Sequence, residues 1–432
     1  MKLRPSLLCL AGILILGFLL TRRLDQILTP QLKEEDGLLF FAQANNDGWR
    51  AVLGPYMGYL HLAPRLVAAL LVPLPLEYVP LAYNFAGMLV VALVAFRLLT
   101  ARIPPLAGLA GALAIVVVPS SGAVYGNINC LHFALASLLV VNLLEPAPTD
   151  LRPAIRRTIE MLLAALSGPE GLILAPFSLI RAWQWRRQRG GWLVLAGWWA
   201  GAGVQFLLLH DNPRVAGPLR NAAPSVALLA RYVKMLFGQW LGAPDDGRVA
   251  LIVLLVVVLV FALLLWRHPY RYEVLAMLAA ALVLLCAGRL AGSQWPQPFA
   301  LGARLVFLPY VLLVWTLGWL AAGVTGWRRL APALLFLGVA ASSLPAWAAK
   351  PIPDCRWPRQ IAALRAGDAL VLADPRSVLG DRCFIPVANS IVLFAPGLGS
   401  DGSIHAFAIC LRWSPKYPVR SDPHPVDLSD LP

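Results

Sequence analysis

Long apolar runs separated by short arginine-bearing breaks fill residues 1–349, and the pattern predicts one membrane-length helix after another. The first run sits behind Lys2 and Arg4, continues to Leu20 and meets Thr21-Arg22-Arg23 with no small-residue cleavage site. That combination predicts an uncleaved helix with a cytoplasmic N-terminus. Residues 21–77 then form a long outside segment. Within it Leu62 to Val72 is apolar, too short to span and closed by Pro73 and Pro75, so it is expected to lie in the membrane interface. Further spans are expected at roughly 78–99, 104–119, 130–144, 192–209, 249–266 and 272–286, then between Arg304 and Arg328, and from about Leu330 to Trp347. A helical hairpin is expected from Thr158 to Arg181, turning at Ser167-Gly168-Pro169-Glu170-Gly171.

The breaks alternate in charge. Those holding Arg97 and Arg102, Arg152, Arg156 and Arg157, Arg186, Arg187 and Arg189, Arg267 and Arg271, and Arg328 and Arg329 are basic, while the turns 119–129 and 167–171 hold no basic residue. By the charge bias of membrane loops the basic breaks are cytoplasmic. The expectation is an all-α polytopic membrane protein: a bundle of about eleven transmembrane helices with loop helices outside and a small α/β domain at 350–432. In that last part hydrophobicity falls and prolines multiply. Residues 357–367 have the pattern of a short amphipathic helix, 368–374 of a strand, and Ser414 to Pro432 of a loosely held tail.

Composition agrees: 59% of the 432 residues are hydrophobic and 13% charged, against about a quarter charged in a soluble domain. The net charge of +14 follows from the cytoplasmic clusters, so nucleic acid is not an expected partner and the lipid bilayer is. The six cysteines show no C-x-x-C pair and no zinc-type spacing; Cys355, Cys383 and Cys410 lie beyond the last span, where two of them could pair in an oxidising compartment.

Against this background the triplet Glu34-Glu35-Asp36 stands out, because carboxylates avoid a membrane surface unless a polar cavity, a bound cation or a general base calls for them. A solvated acidic loop is the plain alternative, and the triplet leaves open whether a divalent cation sits by Glu35 and Asp36. Several basic residues also lie outside, where charge bias does not place them: Arg65, Arg231, Lys234, Arg289 and Arg304 among others. Headgroup anchoring explains any single one of these cheaply.

The order of these features resembles that of bacterial polyprenyl-phosphate-dependent glycosyltransferases of the GT-C superfamily, such as lipid A aminoarabinose transferases and protein O-mannosyltransferases. The resemblance rests on Glu35-Asp36 after the first helix, on Gly58-Tyr59-Leu60-His61-Leu62-Ala63-Pro64-Arg65 and on Ser167-Gly168-Pro169-Glu170-Gly171. It departs from the family in the Glu-Asp order of the pair and in the spacing of Pro64 from His61. It implies an inverting transferase in the bacterial cytoplasmic membrane, carrying sugar from a polyprenyl-phosphate donor to an envelope acceptor on the outer face, with the C-terminal domain periplasmic. Asp36 or Glu35 would be the catalytic base. Tyr59, His61, Arg65, Asn127, Glu170, Arg231, Lys234, Arg289, Trp295 and Arg304 would bind substrate, the cations through phosphate and Trp295 through a sugar face. An O-antigen polymerase or ligase and a lipid-linked sugar flippase are the competing readings. The first has no need of an acidic pair after helix one; the second should show repeated halves, which the sequence lacks.

Overall fold

The computed structural model describes residues 5–32, 35–118, 124–210, 261–291, 303–342, 384–387, 390–398, 404–412 and 424–425. These residues are largely helical. The principal helices are α1 (Pro5–Arg22), α2 (Leu62–Leu71), α3 (Val79–Leu99), α4 (Pro105–Val117), α5 (Leu131–Leu144), α6 (Leu151–Ser167), α7 (Ala175–Gln184), α8 (Arg189–His210), α9 (Arg271–Ala291), α10 (Phe307–Gly323) and α11 (Leu330–Ser342). Two stretches, Leu76–Leu99 with mean hydropathy 2.0 and Arg189–His210 with 1.6, are long and apolar enough to cross a membrane. Helix α4, at 13 residues, covers only about 20 Å at 1.5 Å per residue, less than a hydrocarbon core. The structure thus supports membrane association through at least these two helices, with α1, α4, α5 and α10 as shorter apolar partners.

Small residues let the helices approach closely. Gly197 and Gly201, one turn apart on α8, meet α6 at Thr158 and Ala165; a Cβ on either glycine would lie 2.7 Å from the facing side chain. On α4, Gly111 accommodates the Trp315 indole of α10 at the same spacing, and that indole donates to the Ala107 carbonyl at 2.8 Å. Such Gly-x-x-x-small contacts are how helices associate where lipid removes the hydrophobic drive.

Side-chain contacts sort the helix ends into two groups. At one end the last turn of α3, the end of α5 and the second and third turns of α6 share a buried ionic knot. Arg97 donates to both Glu145 oxygens at 2.8 and 3.1 Å and to Glu160 at 3.0 Å. Arg157 donates to Asn142 at 2.8 Å and to the Pro146 carbonyl at 2.6 Å. Arg97 and Arg157, both expected in breaks between spans, lie on helices and are buried. The expected loop 145–157 is also shorter, because α6 begins at Leu151. Its basic residues sit on helix, with Ala154 and Arg157 turned inward and Leu151, Ile155 and Ile159 exposed at four-residue spacing.

At the other end lies the segment between α1 and α3. It runs through a helical turn of wide pitch (Asp36–Phe41), a short helix (Ala42–Asp47), a 3-10 turn (Gly48–Leu53) and a hairpin of β1 (Pro55–Tyr56) and β2 (Tyr59–Leu60). The hairpin turn Met57-Gly58 has positive φ at both residues, 54° and 86°, the primed geometry that matches strand twist. Helix α2 follows, where the interfacial helix was expected.

The C-terminal part contains an antiparallel sheet of β3 (Phe384–Val387), β4 (Ser390–Leu398), β5 (Ile404–Arg412) and β6 (His424–Pro425), in that order. The expected helix at 357–367 and strand at 368–374 lie outside the described residues. Strand β6 falls within the stretch expected to be a loose tail, where His424 and Pro425 pair with Ala408 and Phe407.

Candidate functional site

The acidic pair is built into the protein where the C-terminal end of α1, with its buried Arg22 and Arg23, meets the start of α3, the end of α4 and the start of α5. Asp36 is buried, and its two oxygens accept the backbone N–H groups of Ile128 and Asn129 at 3.0 and 2.9 Å. The Asn127 side chain accepts the same Asn129 N–H at 2.8 Å, closing a turn of the kind asparagine favours. That turn needs glycine: Gly126 has φ +66°, and a Cβ on Gly87 of α3 would lie 3.0 Å from the Asn127 nitrogen. Arg22, at the end of α1, donates to the carbonyls of Val116 and Val118 and stacks over Tyr125, whose hydroxyl donates to Ile115 at 2.7 Å. Glu35 differs from its neighbour. It is half-buried, accepts the Asn129 side-chain amide at 3.0 Å and receives the Tyr56 hydroxyl at 3.4 Å.

Beside the pair, the hairpin and the first turn of α2 place a shell of aromatic and imidazole rings. His61 is buried and stacked on Tyr59 with centroids 4.3 Å apart, with Phe40, Tyr56 and His132 within 6 Å. Burial, then the charges of His132 and Arg65, lowers the His61 pKa to about 2, so this imidazole is neutral at any working pH. The His132 Nδ1 lies 2.9 Å from Glu170 Oε1. Gly168 permits that pairing, since a Cβ there would press on both side chains. His61 Nδ1 and Glu170 Oε2 are buried with no hydrogen-bond partner, which is costly unless a ligand supplies one. Burial at the phenolic end of Tyr59, reinforced by Glu170 and Cys130, raises its pKa, while Arg304 acts in the opposite sense, which places that cation within electrostatic reach of the ring.

The structure therefore brings together Glu35, Asp36, Tyr59, His61, Asn127, Glu170 and, through its field, Arg304. Arg65 is close but turned elsewhere. It is buried, donates to Gln43 and to the Ala51 carbonyl at 2.8 and 2.7 Å and lies over the Phe40 ring. Burial lowers its pKa to about 10, with Asp47 opposing. Through Nη1 it ties Gln43 and Ala51 to α2, while its Nε and Nη2 are buried without a hydrogen-bond partner. Arg289 is near the end of α9; Arg231, Lys234 and Trp295 lie outside the described residues, as does Glu34. No group of three or more His, Cys, Asp or Glu able to hold a metal occurs among the described residues.

Tyr56 is an addition to the expected set, and so is the pairing of His132 with Glu170, which was itself expected to bind substrate. A signal for the first was present in Tyr56-Met-Gly-Tyr59, since a primed hairpin turn puts the two flanking residues opposite each other. Gln205 of α8 fixes the hairpin from behind, accepting the Leu60 N–H at 2.8 Å and donating to its carbonyl at 3.0 Å. Ser167 accepts the Ala63 N–H at 3.0 Å. Compared with known proteins, the chain matches no family model, no curated protein and no solved structure.

Proposed function

We propose that the chain is a polytopic membrane glycosyltransferase of about eleven spans, which transfers a sugar from a polyprenyl-phosphate donor to an envelope acceptor on the outer face of the cytoplasmic membrane. The observation that carries this reading is the convergence, at one end of the bundle, of a half-buried carboxylate at Glu35 with two unsatisfied buried polar atoms, at His61 and Glu170, and a nearby cation, Arg304. An acceptor hydroxyl attacks the anomeric carbon as its proton passes to Glu35, the glycosidic C–O bond forms, and the polyprenyl phosphate departs with the electron pair of the broken bond. Arg304 offsets the charge that develops on the phosphate. The neutral His61 imidazole and the free Glu170 oxygen are suited to sugar hydroxyls, and the stacked Tyr59 to a sugar face.

Within the pair, the base is assigned to Glu35 and the anchoring role to Asp36, because both Asp36 oxygens are already engaged by backbone amides. Glu35→Gln keeps size and the contact with Asn129 but removes the base. Purified variant supplied with a defined polyprenyl-phosphate sugar should keep its thermal midpoint and donor binding while turnover drops by about 10²–10⁴-fold. Near-normal transfer by Glu35→Gln would sink this assignment.

A further inference from the structure

At the opposite end of the bundle from Glu35 lies an apolar cleft of about 590 Å³ between α5, α7, α8 and α9. Its walls are Val140, Leu143, Phe177, Ile180, Trp198 and Ala276, with other apolar residues of the same helices; Tyr272 and Gln184, which accepts a hydrogen bond from Arg181, also line it. Its charged lining residues, Arg181 and Glu273, fall near the ends of their helices, Arg181 in the last turn of α7 and Glu273 in the first turn of α9. The two are close enough for the Glu273 charge to act on the Arg181 guanidinium. Exposed Trp183, Trp192, Trp266 and Trp327, each within a few residues of an arginine, mark this end as a membrane–water interface.

An apolar slot with one cation and one anion at its rim has the polarity of a zwitterionic amphiphile. We propose that the cleft binds a phospholipid of the cytoplasmic leaflet that carries a primary amine, one acyl chain lying in the slot, its phosphate on Arg181 and its ammonium on Glu273. A purely anionic headgroup would meet repulsion from Glu273, and a quaternary amine would lose the hydrogen bonds that a primary ammonium donates to the carboxylate. The carrier-linked donor is a different ligand, because its phosphate belongs beside Glu35 at the far end. The inference rests on the chain crossing a membrane and not on the transfer reaction, so a variant inactive in transfer leaves it standing.

The test is native mass spectrometry of the full chain, delipidated and returned to nanodiscs holding equal parts phosphatidylethanolamine, phosphatidylglycerol and phosphatidylcholine. One phosphatidylethanolamine should be retained in preference to the others. Arg181→Ala should cut retention of every class by roughly tenfold, the worth of one hydrogen bond to a charged group, and Arg181→Lys should restore most of it. Glu273→Gln should keep retention but erase the preference over phosphatidylglycerol. Equal retention of all classes by the unmodified protein, which is the mark of adventitious lipid only, would overturn the proposal. So would retention of added polyprenyl phosphate in place of phospholipid, or no response to either substitution at unchanged thermal midpoint.

Discussion

Glu35 and Asp36 are adjacent in the chain and opposite in circumstance, and the difference makes separate predictions for each. Asp36→Asn turns one oxygen into an NH2 group that faces a backbone N–H, so one charge-assisted bond is lost and two donors are left opposed. The expected cost is about 1.5–3 kcal/mol of stability, read as a lower thermal midpoint in detergent with residual turnover in the folded fraction. Full stability with abolished turnover would instead make Asp36 the base. His61 makes a prediction in pH. Its folded pKa of about 2 lies below the ordinary 6.5, so the neutral ring contributes stability that is fully present above about pH 6.5 and is lost as pH falls toward 2. His61→Gln should flatten the decline of the thermal midpoint on the acid side of pH 6.5; an unchanged slope would show that the ring is hydrated and titrates normally. Sequence could single out Tyr59 and His61 from the motif at 58–65 ahead of a short apolar helix, and Glu170 as an acid in the tight turn 167–171. It could not reveal that Nη1 of Arg65 bonds to Gln43 and Ala51, since those partners are distant in the chain and carry no charge to announce the pairing.

At the level of elements the same limit appears in the knot formed by α3, α5 and α6. Arg97 and Arg157 have the sequence signature of loop charges, and only the packing of three helices shows that Glu145 and Glu160 reach them. Breaking one partner of a buried ion pair strands the other. Glu145→Gln removes the charge paired with Arg97 and leaves one carbonyl oxygen where two carboxylate oxygens now accept from Arg97 and the Arg102 N–H. Glu160 still holds Arg97, so the loss should fall at the low end of about 3–5 kcal/mol, measured as a drop in thermal midpoint. A drop no larger than a surface substitution gives would mean that the knot is open to water. The helices themselves were largely legible, because apolar length is a local property. Helix α6 was the exception: its buried face includes an arginine, so its first two turns look like a loop. Within the expected α/β domain the strands β3 and β4 were not located, since Pro386 and Pro396 interrupt the alternation that would have marked them.

For the whole molecule, the informative feature is that contacts between distant residues sort the helix ends into the same two groups as the charge pattern. Arg97, Glu145, Arg157 and Trp185 gather at one end. Asp36, Asn129, His61, His132, Glu170 and Gln205 gather at the other. Between residues 36 and 205 each of α3 to α8 joins one set to the other, so these successive helices run antiparallel. The contacts, rather than the arginine counts alone, thus tie the site's location to one measurement. If the basic end is cytoplasmic, reporter fusions at the exposed Arg187 and Arg328 should give cytoplasmic signals. A cysteine replacing Met57, exposed at the hairpin tip, should react in intact cells with a maleimide that does not cross membranes. A periplasmic signal at Arg187 or Arg328, or protection of the cysteine at position 57 until the membrane is permeabilised, would invert the bundle. The Glu35 site would then face the cytoplasm, where sugar donors are soluble nucleotides, and a polyprenyl-phosphate donor on the outer face would no longer fit.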